Sequence, residues 1–119
     1  MKKADRIILQ KMVQYCDRIQ EIMDRFGHEQ KDFMDDFAYQ YAVAMCMIQI
    51  GELVTRLTSN VVLDFPSVPW KQIRAMRNIY AHDYENADNL IIWETMNDDI
   101  PDLRRQLQTI IDKVGDLDE

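Results

Sequence analysis

One short segment of the chain, residues 70–84, collects most of the side chains that could take part in catalysis. Its sequence is WKQIRAMRNIYAHDY. Within eleven positions it holds two arginines, an asparagine, a histidine and two tyrosines: Arg74, Arg77, Asn78, Tyr80, His82 and Tyr84. Histidine exchanges protons near neutral pH, and arginine binds phosphate bidentately while keeping its positive charge. This combination is suited to cleavage of RNA without a metal ion.

Such a cleavage needs a base, an acid and a fixed positive charge. The base removes the proton of the ribose 2′-hydroxyl, whose oxygen then attacks the adjacent phosphorus. Arginine stabilises the charge that builds on the phosphorane, and the acid protonates the leaving 5′-oxygen. One histidine cannot easily serve as both acid and base, whereas two copies of the chain related by a two-fold axis could divide the roles.

Spacing within the segment limits how its residues can meet. Asn78 and His82 are four apart, so on a helix they share a face, and the amide could orient the imidazole. Arg77 and His82 point about 140° apart on an ideal helix. They could share a ligand only if the helix ends or bends between them, or if a second subunit completes the site. The alternative is that both are surface residues near a helix terminus, which is a common role for arginine and histidine.

Composition restricts the fold and the partners. The chain has 119 residues, which fits one domain spanning 1–119, and only three glycines and three prolines, too few turn formers for an all-β fold. Its net charge is −7, which excludes a broad basic surface for nucleic acid. The longest uncharged run, Phe37–Gly51, has 15 residues, and a membrane span needs about 20. We therefore expect a cytoplasmic all-α protein.

Hydrophobic periodicity predicts four main helices in an antiparallel up-down bundle. They cover approximately residues 5–26, 32–58, 69–82 and 89–114. Gly27 should end the first, and Pro69 should begin the third. Asp88 or Asn89 should cap the fourth, which Pro101 should kink. Residues 59–69 are predicted to be a loop packed on the bundle.

The second predicted helix is apolar on every side between residues 41 and 48, which indicates a central position or a dimer seam. Its apolar face is predicted to contain Phe33, Phe37, Tyr41, Ala44 and Ile48. Gly51 interrupts this helix, and a close helix crossing would explain it. Glu52 and Arg56 are four apart and can pair on the surface.

The remaining candidates have structural interpretations. Cys16 and Cys46 lie in apolar stretches and lack metal-ligand spacing, so we expect buried, reduced thiols. We expect Trp70 and Trp93 in the core, and His28 exposed without a partner. The acidic residues around Pro101 resemble a helix start more than a metal site, because no histidine accompanies them: Asp98, Asp99 and Asp102.

The run RNIYAHDY, residues 77–84, has the form Arg-x4-His-x-Tyr. It resembles the HepT-like branch of the HEPN domain superfamily. Supporting features follow in the same order along the chain: IGEL at 50–53, Pro69-Trp70, Trp93 and the Ile100-Pro101 break. Together they extend the resemblance from the first helix to about Val114.

The resemblance implies an α-helical homodimer that cleaves RNA without metal or cofactor, as the toxin of a type VII-like toxin–antitoxin system. Arg77 and His82 would be the catalytic pair at the dimer interface, and Asn78 the supporting polar residue. Tyr84 would accept AMP from a partner antitoxin, a minimal nucleotidyltransferase, which silences the toxin. The implied substrate is RNA, with tRNA as a candidate, and neither DNA nor a membrane is implied.

Two other interpretations fit the same residues. The chain could be a non-catalytic module that binds a nucleotide or docks a nucleotidyltransferase. It could also be a helical domain with only a structural or assembly role. Loss of an activity on His82→Ala would distinguish the ribonuclease from both.

Overall fold

Helices make up most of the part of the chain that the computed structural model describes. That part is residues 1–82 and 88–114, with all side chains except those of residues 79, 81 and 82. The helices are α1 (Lys3–Phe26), α2 (Gln30–Met34), α3 (Phe37–Val54), α4 (Ser59–Asp64), α5 (Trp70–His82), α6 (Asn89–Glu94), a π-helical turn (Thr95–Asp99) and α7 (Ile100–Val114). No strand occurs within these ranges.

Four long elements form the bundle, and this confirms the predicted all-α class. Helix α3 packs on both α1 and α5, and α1 also packs on α7. The fourth element is the continuous run of α6, the π-helical turn and α7. The fully buried side chains at the centre come from three of these elements: Leu9, Met12, Val43, Met47, Ile50, Val54 and Leu107. Burial of these apolar surfaces is the main force that holds the helices together.

Helix α1 ends where the sequence predicts. Gly27 follows its last residue with a φ of 132°, a backbone conformation that side-chain-bearing residues rarely adopt. Its N–H donates to the carbonyl of Met23 at 2.9 Å. The hydroxyl of Tyr39 donates to the Gly27 carbonyl at 2.8 Å and so joins this turn to α3.

The predicted single helix over residues 32–58 is wrong, because the helix is interrupted at residues 35 and 36. The Asp36 carboxylate accepts hydrogen bonds from the N–H groups of Ala38 and Tyr39, which caps a new helix. The Gln40 side-chain amide donates to the carbonyls of Phe33 and Met34, which end α2. A side chain one turn into α3 thus closes the end of α2, and periodicity alone could not reveal this contact.

The break also changes which face of α3 is buried. Phe37 and Tyr41, predicted to face the core, are 70% and 59% exposed, and Met45 is 57% exposed. The buried face instead contains Tyr39, Val43, Met47, Ile50 and Val54. Helix α3 is the one described helix long and apolar enough to qualify as a membrane span, and 50% of it is buried inside the bundle.

Residues 59–69 are not only a loop, because α4 occupies their first half. Its position is fixed by Asp5, a buried carboxylate near the start of α1. Asp5 accepts hydrogen bonds from the Thr58 N–H at 3.0 Å and from the Thr58 hydroxyl at 2.7 Å. The prediction missed α4 because this anchor lies 53 residues away in sequence.

The last helix begins as predicted and is irregular before its proline. The Asp88 carboxylate accepts from the Leu90 N–H at 2.8 Å, as an N-cap should. The π-helical turn then precedes Pro101, and the Ile100 N–H donates to the Thr95 carbonyl. Proline lacks an N–H and crowds the carbonyl four residues before it, so a wider turn at this point relieves the conflict.

Candidate functional site

Helix α5 carries the segment that the sequence selects, and its start is anchored in the core. Trp70 is buried, and its indole N–H donates to the carbonyl of Phe65 at 2.9 Å. The Ile73 N–H donates to the carbonyl of Pro69 at 3.0 Å, so Pro69 stands immediately before the first helical residue. The predicted positions of Trp70 in the core and of Pro69 at the helix start are both confirmed.

Helices α3 and α5 approach closely at Gly51. A Cβ atom at this position would lie 2.9 Å from both the Cβ and the backbone N of Arg77, and 3.0 Å from the carbonyl oxygen of Ile73. Real Cβ atoms do not tolerate such distances, so only glycine permits the crossing. The close helix crossing predicted from Gly51 is confirmed, and its partner is the residue that begins the motif.

Arg77 is paired with a carboxylate of the neighbouring helix. Its Nε lies 3.1 Å from Oε2 of Glu52, with the two side chains 40% and 37% exposed. The surface pair predicted between Glu52 and Arg56 is therefore wrong. Helix α3 ends at Val54, so Arg56 lies beyond the helix. The rule that residues four apart face each other applies only within a helix, and so it does not apply to this pair.

The other motif residues differ in how far the structure describes them. Asn78 is exposed, next to Arg77 on the same helix. Helix α5 includes His82 as its last residue, so the helical condition for an Asn78–His82 contact is met in the backbone. The His82 side chain and all of Tyr84 lie outside the described residues. The roles of Arg77, Asn78, His82 and Tyr84 therefore stay predictions.

Sequence reasoning missed the position of Glu52 within this site. The signal was present, because a glutamate directly follows a glycine near the end of a helix that is otherwise uncharged. A carboxylate placed one residue after a close crossing is well placed to reach the facing helix. Periodicity favours partners on the same helix, and so the cross-helix partner was overlooked.

The two cysteines are buried, as expected, and carry no disulfide. Burial raises the pKa of the Cys16 thiol to about 12 and also raises that of Cys46. Thiols with raised pKa values are poor nucleophiles and poor metal ligands near neutral pH. Within the described ranges, no group of three or more His, Cys, Asp or Glu residues could hold a metal ion.

The remaining candidates contribute to structure. His28 is exposed, as predicted, but it has a partner, since its Nε2 lies 3.2 Å from the Asp24 carboxylate one turn earlier. Asp102 pairs with Arg105 at 2.8 Å in the first turn of α7. Trp93 is half-buried and its ring lies 5.8 Å from that of Phe33, so it packs against the core.

The all-α fold is consistent with the HEPN type, and the comparisons with known proteins support a ribonuclease of that type. A family model described as "Ribonuclease HepT-like" matches residues 12–110. The chain therefore belongs to the HepT-like ribonuclease family, as its resemblance predicted.

Curated proteins that resemble the chain carry related names. "Putative RNase MJ1216" of Methanocaldococcus jannaschii is 30% identical over 100% of this chain and 98% of its own length. "Putative RNase TTE0752" of Caldanaerobacter subterraneus subsp. tengcongensis is 32% identical over 93% of this chain and 97% of its own. "Probable ribonuclease HepT" of Thermococcus cleftensis is 26% identical over 92% and 98%. No solved structure matches the chain.

Proposed function

We propose that this chain is a metal-independent endoribonuclease toxin that acts in the cytoplasm as a homodimer. Arg77 would bind the scissile phosphate and stabilise the charge that develops on it. His82 would act as general acid or base, with its counterpart from the second subunit taking the other role. Asn78 would orient the imidazole. The family membership supports RNA as the substrate.

The observation that carries the proposal is the placement of Arg77. It is a partly exposed arginine, held at the glycine crossing between two core helices, in an otherwise acidic chain. A guanidinium fixed by a rigid scaffold is prepared to bind an oxyanion before the reaction begins. An arginine that served only as a solvated surface residue would not need a position at the close crossing of two helices.

An exposed apolar stripe supports the homodimer. We define the stripe as Phe37, Tyr41 and Met45, which recur every four residues and so follow one side of α3. The rings of Phe37 and Tyr41 pack edge to face, with centroids 5.8 Å apart. The same side of α3 continues to Glu52, which contacts Arg77. A second copy seated on the stripe would therefore bring two Arg77 side chains towards one cleft.

Regulation would act through the tyrosine that follows the motif histidine. A partner minimal nucleotidyltransferase would transfer AMP from ATP to the Tyr84 hydroxyl, releasing pyrophosphate. Each AMP would add bulk and a phosphodiester negative charge within the same motif as Arg77, and would compete there with the RNA backbone. The negative charge of the chain makes binding outside the cleft weak, so this competition would be effective.

The decisive experiment is RNA cleavage by the chain produced without any partner, in EDTA, beside His82→Ala. Intact mass is measured first, because an AMP adduct would mask activity. We expect the unmodified wild type to cut RNA and His82→Ala to be slower by about 100-fold or more, since it lacks the proton-transfer group. If unmodified wild type leaves both total RNA and purified tRNA intact, the proposal fails and a non-catalytic docking module becomes the better interpretation.

The dimer is tested by placing a charge on the stripe. Tyr41→Glu should give a monomer by light scattering and should abolish cleavage, because a buried unpaired carboxylate opposes association. Leu63→Glu is the matched control, since Leu63 is also an exposed apolar residue, 74% against 59% for Tyr41, and lies on α4 and not on the stripe. A Tyr41→Glu variant that is monomeric and fully active would contradict the composite site.

A further inference from the structure

Glu52 is a charged residue that the proposed reaction does not use, although it contacts the residue that the reaction needs most. Its carboxylate lies 3.1 Å from Nε of Arg77 and bridges α3 to α5. It directly follows Gly51, whose Cα approaches Arg77 so closely that a Cβ would lie 2.9 Å from the arginine Cβ. Arg77 is thus constrained at two points, at the base of its side chain and at Nε.

The atom that Glu52 contacts determines what the contact can do. A guanidinium has five N–H donors, one on Nε and four on the terminal Nη groups. The closest approach of the carboxylate is to Nε, at 3.1 Å, and the terminal edge of a guanidinium is the one that can make a bidentate contact with a phosphate. Arginine has a flexible side chain, and fixing it before RNA binds removes an entropic cost from the reaction.

The stability of the fold does not depend on this contact. Both side chains are more than one-third exposed, and ion pairs in such surroundings contribute little to folding. The pair between Arg104 and Asp17 has similar exposure, 42% and 48%, and joins α7 to α1 far from the motif. It supplies a matched control with the same chemistry.

We propose that Glu52 is a positioning residue, which holds the Arg77 guanidinium by Nε so that its terminal edge faces the RNA phosphate. The inference rests on the proposed ribonuclease function for its catalytic consequence. The carboxylate itself touches neither RNA nor the reacting atoms, and it acts only through Arg77.

The test compares Glu52→Ala and Glu52→Gln with Asp17→Ala. Alanine removes the carboxylate, whereas glutamine has the same length and keeps a polar side-chain oxygen beside Nε. We expect Glu52→Ala to lower kcat for RNA cleavage by about tenfold, because the guanidinium is no longer oriented. Glu52→Gln should retain kcat within about twofold, since its side-chain oxygen still reaches the guanidinium. Asp17→Ala should behave as wild type.

Equal kcat values for wild type and Glu52→Ala would overturn the inference. Equal losses for alanine and glutamine would also overturn it, because they would assign the effect to charge and not to orientation. A loss that follows a fall in the folded fraction, measured by circular dichroism, would assign it to stability instead.

A second measurement does not depend on activity. The Nε–H of Arg77 gives a ¹⁵N–¹H NMR signal. This signal is assigned by comparison with Arg77→Lys, in which it is absent. We expect this signal to be protected from exchange in wild type and Glu52→Gln, and lost to fast exchange in Glu52→Ala. If the wild type does not cut RNA, the ribonuclease proposal fails, and this signal still decides whether Glu52 positions Arg77. An unchanged signal in Glu52→Ala would overturn the positioning role.

Discussion

Two arginine–carboxylate pairs join helices in this bundle, and they differ in what surrounds them. Arg77 pairs with Glu52 across α5 and α3, and Arg104 pairs with Asp17 across α7 and α1. All four side chains are partly exposed to a similar degree. Arg104 uses both Nε and Nη2 to contact its carboxylate. Arg77 and Glu52 form an ion pair whose closest approach is at Nε, 3.1 Å, next to a helix crossing that only glycine permits.

The comparison shows that the role of an ion pair depends on the residues around it. Isolated exposed pairs contribute between zero and about 1 kcal/mol to stability, so neither pair is needed to hold the bundle together. The Arg104 contact occupies an edge of its guanidinium that could otherwise bind an anion. The Arg77 contact involves the first residue of the motif. Substitutions in the two pairs should therefore have very different effects on RNA cleavage.

The largest difference is expected between Arg77→Ala and Arg104→Ala. Arg77→Ala should lower kcat for RNA cleavage by about 100-fold or more, because no fixed positive charge then stabilises the phosphorane. Arg104→Ala should leave kcat within about twofold and lower the free energy of unfolding by at most about 1 kcal/mol. Steady-state cleavage and urea denaturation of both variants measure this. Similar losses of kcat in the two variants would remove the distinction between the pairs.

A smaller effect is expected from Gly51→Ala, which alters the crossing without touching a charge. The added Cβ would lie 2.9 Å from Arg77 Cβ, so α3 and α5 must separate. We expect the free energy of unfolding to fall by about 1–3 kcal/mol, and kcat to fall by about tenfold as Arg77 shifts. Gln14→Ala, an exposed change on α1, should alter neither. Full activity in Gly51→Ala would show that the close approach serves packing alone.

The smallest effect concerns the thiol beside the second pair. Burial, assisted by the charge of Asp17 and opposed by that of Arg104, raises the pKa of Cys16 from its ordinary value of 9.0 to about 12. The folded state keeps the thiol protonated. Its contribution to the free energy of unfolding is therefore fully present below the pKa of the unfolded chain, and it is lost as pH rises towards the pKa of the folded protein.

Urea denaturation at pH 8 and pH 9.5 tests this dependence. The wild type should lose about 1 kcal/mol between the two, and Cys16→Ala should lose less. An identical loss in the two proteins would mean that Cys16 does not titrate on unfolding. Any alkaline loss that persists in Cys16→Ala is expected from Cys46, whose pKa burial also raises.

Predictions from the sequence succeeded where the cause is local. Gly27 ends α1 and Asp88 caps α6, because each acts through backbone groups within a few residues of itself. They failed where a distant contact decides the outcome. Asp5 anchors α4 from 53 residues away, and Gln40 closes α2 from within the next helix.

The candidate site divides in the same way. The residue types and spacing of the motif select Arg77, Asn78, His82 and Tyr84 as candidates, because these residues lie within one contiguous run of the sequence, and their roles stay predictions. The sequence also anticipated a helix crossing at Gly51. It assigned Glu52 to Arg56, whereas α3 ends at Val54 and Glu52 faces Arg77.

The sequence by itself therefore determined the helical class, the family and the motif, since periodicity, caps and a contiguous pattern are properties of neighbouring residues. Only the tertiary structure decided which side of α3 is buried and which side is left as an exposed stripe. It also decided the partner of Arg77. Both depend on how helices pack across the bundle. The close approach of the two backbones at Gly51 sets the distance between α3 and α5, and this distance determines which side chains can pair.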